Sequence, residues 1–188
     1  MEIVYTTVST PEEVQQILAL QAANHVSTVS PAIAQEQGFV TVKHDPDVLQ
    51  RMNIATPGII AKDGPIVVGY ALVMPRAFAP DIPILQPMFD LLDSLSWKGQ
   101  PLRDNARWFV MGQICVAENY RGKGIFDGMY AKMKEAYRQD YDFTVTEVAE
   151  RNVRSMRAHE RVGFQTLHTF SDAVAKEDWR VVLLELFD

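Results

Sequence analysis

The spacing of apolar and polar positions changes character several times along the chain, and each change marks an element. Residues 2–9, EIVYTTVS, read as a strand. TPEEVQQILALQAANHV then carries the signs of a helix start, with Thr10 as N-cap, Pro11 at the first position and glutamates in the first turn. Residues 30–56 show no dominant period: FVTVKHD fits a short strand and DPDVLQRMN a helical turn. GIIAKDGPIVVGYALVM is clearer. Two β-rich runs bracket Asp63 and Gly64, a dipeptide that supplies the positive φ values of a tight turn, and an antiparallel hairpin is expected. The next stretch, from Pro75 to Asn105, is proline-rich with an apolar helical centre from about Ile84 to Leu95, and reads as an insertion at about 75–105.

RWFVMGQICV is a continuous apolar run, the mark of a strand buried on both faces. From Gly124 the period becomes helical, with Ile125, Met129, Met133 and Ala136 on one face and Lys132, Lys134, Glu135 and Arg138 elsewhere. DFTVTEVAE is a further strand, NVRSMRAHERV a helix ending at Gly163, and GFQTLHTF and WRVVLLELF are closing strands. The order is therefore β, α, an antiparallel hairpin, then β-α-β-α-β-β. There is no internal repeat, low-complexity tract or interdomain linker, and 188 residues with 47% hydrophobic content suit one domain, 1–188.

Charge and cysteine content narrow the function. A net charge of -6 argues against a general nucleic-acid or anionic-membrane surface and tolerates cationic substrates. Cys115 is the single cysteine, which rules out an internal disulfide and fits a reducing compartment. MEIVYTTVSTPEE lacks a basic-then-apolar signal pattern, and no apolar run approaches the roughly 20 residues of a membrane span. A cytoplasmic protein is expected. His25, His44 and His168 lack metal-ligand spacing, so no metal is expected.

The stretch ENYRGKGIFDGMY carries the first sign of chemistry. A buried strand running through a glycine-rich turn into a helix leaves the first helical N–H groups unpaired beside the positive end of the helix dipole. Gly122 and Gly124 let a phosphate approach the backbone, while Arg121 and Lys123 add charge, so a pyrophosphate fits; a plain sharp turn is the other reading. There is no G-x-x-x-x-G-K-[ST], and GKGIFDG misses G-x-G-x-x-G by one residue.

ICVAENYRGKGIF, followed one strand later by TEVAERNVRSMRAHERVGF, resembles the GNAT N-acetyltransferases. Their acetyl-CoA loop has the form [QR]-x-x-G-x-[GA]. Arg121 and Gly124 match it, and Phe126 stands where Gly or Ala is usual. In the family's second stretch Asn152, Ser155, Gly163 and Phe164 fit, and His159 takes the usual tyrosine position. The match covers residues 109–164. It implies an α/β (α+β) fold, a mixed, mostly antiparallel sheet flanked by helices, with a splayed central strand pair at the acetyl-CoA site. It also implies that the backbones of Ile114, Cys115 and Val116 hold the pantetheine arm, and that Arg121, Gly122, Lys123, Gly124, Ile125 and Phe126 cradle the pyrophosphate. Asn152 and Ser155 complete the expected cofactor contacts. Asn152 would serve the pantetheine amides or cap its helix, uses that are compatible.

Acetyl transfer to an amine needs a deprotonated nitrogen, a polarised thioester carbonyl and a proton for the departing thiolate. Glu147 is the candidate base, acting through a water. Strand alternation puts it on the apolar face of Phe143 and Val145, where desolvation raises a carboxyl pKa, and it coincides with the glutamate proposed as base in the family's ribosomal-protein acetyltransferases. Pairing with Arg151, or solvent exposure, is the competing reading. His159 is the candidate acid, provided its surroundings keep it protonated; cofactor contact or plain packing are its other readings. Cys115 reads as a buried structural thiol. Arg154, Arg157 and Arg161 form a stripe that reads as a solvated face or supplies one arginine to the adenosine 3′-phosphate. Phe78, Met88, Phe89, Leu92 and Trp97 of the insertion either cover the acceptor site or pack on the sheet.

The expected activity is acetyl-CoA-dependent N-acetylation of a primary amine by direct attack, with a small-molecule or peptide amine as acceptor, no nucleic acid and no membrane as partner, and a homodimer allowed. An acyl-CoA-binding module without transfer, and a nucleotide-phosphate binder, are the rival readings.

Overall fold

In the computed structural model of the chain, residues 2–25, 27, 28, 40, 42–173 and 176–187 are described. Thr10 starts the first helix as its sequence suggests: its hydroxyl accepts the Glu13 N–H at 3.2 Å, and the Glu13 carboxylate reaches back to the Thr10 N–H at 3.3 Å. Two of the orphan donors at this helix end are thereby satisfied. The labelled elements are β1 (Ile3–Thr7), α1 (Pro11–Asn24), α2 (Pro46–Ala55), β2 (Ile59–Asp63), β3 (Ile66–Pro75), α3 (Gln86–Ser94), β4 (Trp108–Val116), α4 (Ile125–Tyr137), β5 (Phe143–Ala149), α5 (Val153–Arg161), β6 (Gln165–Asp172) and β7 (Glu177–Glu185). A two-residue hairpin, Ser96–Trp97 against Gln100–Pro101, stays outside the main sheet.

The seven strands lie in the order β1-β2-β3-β4-β5-β7-β6. All neighbours are antiparallel except β4 and β5, so the sheet is mixed and mostly antiparallel, as expected. The parallel ladder joins only Trp108–Phe143, Phe109–Thr144 and Val110–Val145, although β4 runs on to Val116 and β5 to Ala149. On its other edge β4 stays paired with β3 through Val116.

One face of the sheet carries α4 and α5. Ile125, Met129, Tyr130 and Met133 pack on Val68, Phe109, Met111 and Val182, and Met156 of α5 joins them. The helical period read from Gly124 is thus a core-facing stripe. The opposite face carries α1, α2 and α3. Val14 and Ile17 meet Tyr70 and Leu72, while Met88, Phe89 and Leu92 meet Trp108, Val110, Phe143 and Val145.

Several local expectations need adjustment. DPDVLQRMN forms a ten-residue helix rather than a turn, because the Asp45 carboxylate caps it, accepting from Asp47 and Val48 N–H at 2.9 and 3.2 Å. FVTVKHD lies partly outside the described residues; Val40 makes an isolated parallel bridge to His25. In the β2–β3 turn only Gly64, at φ 59°, takes a positive angle. Within the 75–105 segment the apolar stripe packs on the sheet, with Met88, Phe89 and Leu92 buried, so these side chains are core rather than a cover.

Candidate active site

A cavity of about 710 Å³ is walled by Ile114, Cys115 and Val116 at the end of β4, by the loop into α4, and by the start of α5. The loop is shaped by Gly122 at φ 73° and Gly124 at φ 75°. A Cβ built at either would meet nothing within 4 Å, so it is the left-handed backbone, not crowding, that calls for glycine there. Gly124 is the N-cap of α4 and offers no side chain to the first N–H groups, which are left for an external acceptor. The positive end of a 13-residue helix therefore opens on the cavity.

Charged groups around the loop are partly committed. Arg121 lines the cavity while its Nε donates to the Val116 carbonyl at 3.0 Å and its Nη2 to Asn24 Oδ1 at 2.5 Å, binding loop, strand and α1 together. Lys123 departs from expectation. Its Nζ donates to the Asn119 carbonyl at 2.8 Å and sits 5.3 Å over the Tyr120 ring, and it is not part of the cavity wall. Arg161 is paired with Asp127 at 2.7 Å, whereas the exposed Arg157 has no partner among the described residues. Phe126 leans on Tyr130 and His159, with ring centroids 5.0 and 5.1 Å away, so its bulk is taken up by the aromatic cluster and the cavity stays open.

A smaller cavity of about 100 Å³ adjoins the first, sharing Val40, Ile114, Asn152 and Ser155, and Glu147 and His159 stand in its wall. The Glu147 Oε1 atom is buried without a hydrogen-bond partner. Burial first, and the Asp172 carboxylate second, push this carboxyl up to about 7. Arg151 does not pair with it, being bonded to Glu177 instead.

His159 departs from the proton-donor expectation. It is 2% exposed, and burial lowers its pKa to about 4, so the ring is neutral at neutral pH. Nδ1 lies 2.8 Å from the Ser155 carbonyl, which can only accept, so Nδ1 carries the proton. Nε2 is then the acceptor for the Tyr130 hydroxyl at 3.1 Å. Both nitrogens are spent inside the protein. Asn152 caps α5 through its carboxamide oxygen, which accepts the Ser155 N–H at 3.2 Å. Cys115, its thiol pushed up to about 11 by burial, stays protonated and is no nucleophile.

The sequence reading missed a buried network behind the small cavity. Gln113 Oε1 accepts from Gln21 at 2.8 Å and from the Tyr70 hydroxyl at 2.6 Å, and Gln113 Nε2 donates to the Val42 carbonyl at 2.9 Å. Gln21 also donates to His44 Nδ1 at 2.9 Å. A glutamine inside the apolar run RWFVMGQICV was the available signal. Among the described residues no group of His, Cys, Asp and Glu is placed to hold a metal, and no helix is long and apolar enough to cross a membrane.

The sequence model of the Acetyltransferase (GNAT) family matches residues 32–164. No curated protein matches the sequence. The chain is similar in structure to a Salmonella typhimurium protein solved with its cofactor acetyl-CoA, with a TM-score of 0.64 and 16% identity over 99% of this chain and 95% of that one. It is similar, with a TM-score of 0.67 and 18% identity over the whole of both chains, to a chain of the NatC complex bound to Gag peptide and CoA. The ribosomal-protein-S18-alanine N-acetyltransferase of Escherichia coli gives 0.64 at 9% identity, covering 100% of this chain and 96% of that chain.

Proposed function

The chain belongs to the acetyltransferase (GNAT) family, and on that premise we propose that residues 1–188 form one domain that transfers the acetyl group of acetyl-CoA to a primary amine by direct attack. Glu147 carries the reading: a half-buried carboxyl with a buried, unpartnered oxygen, pushed up to about 7, stands in the wall of the small cavity that adjoins the large one. Such a group takes a proton from an ammonium or its water relay at neutral pH and holds it while the new amide forms. Acetyl-CoA, when bound, supplies the activated acyl group.

The cavity fits that cosubstrate. Its volume lies within the few hundred to about 1,000 Å³ usual for ligand sites, and its glycine turn and helix end provide the main-chain donors a diphosphate needs. The backbone of Ile114, Cys115 and Val116, unpaired toward β5, is the edge along which an extended amide arm lies. The Asn152 amide nitrogen, left over from capping, supports the same arm.

Calorimetric titration with acetyl-CoA, beside ATP and NAD, followed by CoA release from a panel of small-molecule and peptide amines, tests the proposal. Binding of acetyl-CoA alone with turnover of an amine is expected. Binding without turnover of any amine leaves an acyl-CoA-binding module, and equal binding of ATP or NAD overturns the cosubstrate assignment.

A further inference from the structure

Two polar side chains are common to both cavities: one, Asn152, is committed to capping α5, and the other is Ser155. It lines both cavities and so sits at their junction, one helical turn before His159. The His159 Nδ1 proton faces two atoms of Ser155, the carbonyl at 2.8 Å and Oγ at 3.3 Å. Because that proton belongs to nitrogen, Ser155 Oγ is an acceptor toward the ring, and its own hydroxyl proton has no acceptor among the described residues. Behind the ring, the Tyr130 hydroxyl fixes Nε2 at 3.1 Å. A chain of buried groups thus orients one hydroxyl and leaves its donor free at the edge of the cavity.

We infer that the Ser155 hydroxyl is a catalytic hydrogen-bond donor to the sulfur of the departing CoA, with His159 its positioning residue. The inference rests on the acetyl-transfer reading above and assigns within it a role that the neutral His159 ring leaves vacant. As the amine nitrogen bonds to the acetyl carbon, the C–S bond breaks and its electron pair leaves on sulfur. The amine proton passes to Glu147. Ser155 keeps its own proton and donates a hydrogen bond to the sulfur, which takes a proton from water once released. A serine hydroxyl is too weak an acid to hand its proton over, but a fixed donor aimed at developing charge lowers the barrier without doing so.

The experiment reads the thiol of bound CoA rather than turnover. The ultraviolet absorbance of the thiolate in the CoA complex, titrated between about pH 6 and 9.5 around the ordinary thiol value, gives its pKa in the native protein, in Ser155→Ala and in Ser155→Thr. Alanine is expected to raise that pKa by about one unit, a tenfold change in the ionisation constant. It should lower kcat about tenfold and weaken CoA binding mainly at pH values where the thiol is ionised; threonine, which keeps the hydroxyl, restores the native values. An unaltered thiol pKa in Ser155→Ala, or a threonine variant as impaired as alanine, overturns the inference and leaves acetyl transfer standing. Failure of the native protein to bind CoA overturns the acetyl-transfer reading, and the inference falls with it.

Discussion

The two cavities that meet at Ile114, Asn152 and Ser155 are made of different materials. The larger is a main-chain site: two left-handed glycines, a helix end and a strand edge, with exposed arginines at its rim. The smaller is a side-chain site, where a carboxyl pushed up to about 7 and a histidine pushed down to about 4 are held away from water. On the proposed reading the first binds charge that is always present and the second handles a proton, with properties that come from burial. Changes in the two should therefore separate affinity from turnover, and each variant below either sharpens that separation or breaks it.

The largest effect is expected at Glu147. Glu147→Gln should lower kcat by about 10²- to 10⁴-fold, the usual contribution of a general base, with acetyl-CoA affinity unchanged. The native kcat/KM should fall about tenfold per pH unit below about 7, as the carboxyl protonates, and the variant should lack that limb. Unchanged turnover at saturating amine removes Glu147 from the mechanism. The same shift acts on stability with an unusual sign. Between 4.5 and about 7 the folded state holds a proton at Glu147 that the unfolded chain has released, so this group's contribution declines as pH rises. His44 and His159, both lowered from 6.5 to about 4, act the other way: stability is lost as pH falls through that window. Thermal melts across pH 4 to 8 should show stability rising more steeply with pH between about 4.5 and 7 for Glu147→Gln than for the native protein.

His159 comes next. Tyr130 is 1% exposed and its hydroxyl has Nε2 of His159 as partner. His159→Phe leaves that hydroxyl unpaired and should cost about 1–3 kcal/mol of stability. Adding Tyr130→Phe removes the stranded group and should recover part of the loss in denaturant unfolding. A strictly additive double variant would show that the two side chains are not coupled.

Gly124→Val tests the other cavity. Nothing obstructs a side chain there, so the fold tolerates its volume, but φ 75° disfavours a β-branched residue by about 1–2 kcal/mol. If the loop relaxes to relieve this, the helix N–H groups swing from the phosphates, and acetyl-CoA should bind about tenfold more weakly with the pH dependence of kcat unaltered. A variant that binds normally but loses the limb near pH 7 would break the division between the cavities.

The same contrast explains what the sequence made legible. Strand and helix order, the Thr10 cap and the glycine turn are written in local patterns, because period, capping and positive φ are properties of short segments. Glu147 was readable for a related reason: alternation along β5 places it on the face of Phe143 and Val145. The state of His159 was not, since it depends on Tyr130, 29 residues away, and on burial beneath Phe126 and Phe164. Lys123 misled for the converse reason. A cation next to a phosphate loop looks like a ligand in sequence, yet here its ammonium meets a carbonyl and a ring within four residues of itself.

The smallest effect should come from the rim of the large cavity, and it tests how far the main-chain description holds. Arg157 is exposed and has no partner among the described residues, whereas Arg161 is tied to Asp127 in the first turn of α4. An exposed cation facing an anion contributes about 0.2–1 kcal/mol. Arg157→Ala should thus weaken acetyl-CoA binding only about twofold to fivefold, and the difference should shrink as salt is raised. Dephospho-CoA, which lacks the 3′-phosphate, should bind the native protein and Arg157→Ala alike if that phosphate is what Arg157 meets. Arg161→Ala acts differently, because it leaves the Asp127 carboxylate uncompensated beside the helix end proposed to receive the diphosphate. Loss of affinity there should persist with dephospho-CoA. Were Arg157→Ala to cost a hundredfold instead, binding would rest on side-chain charge, and the glycine turn would be a support for the arginines rather than the site itself.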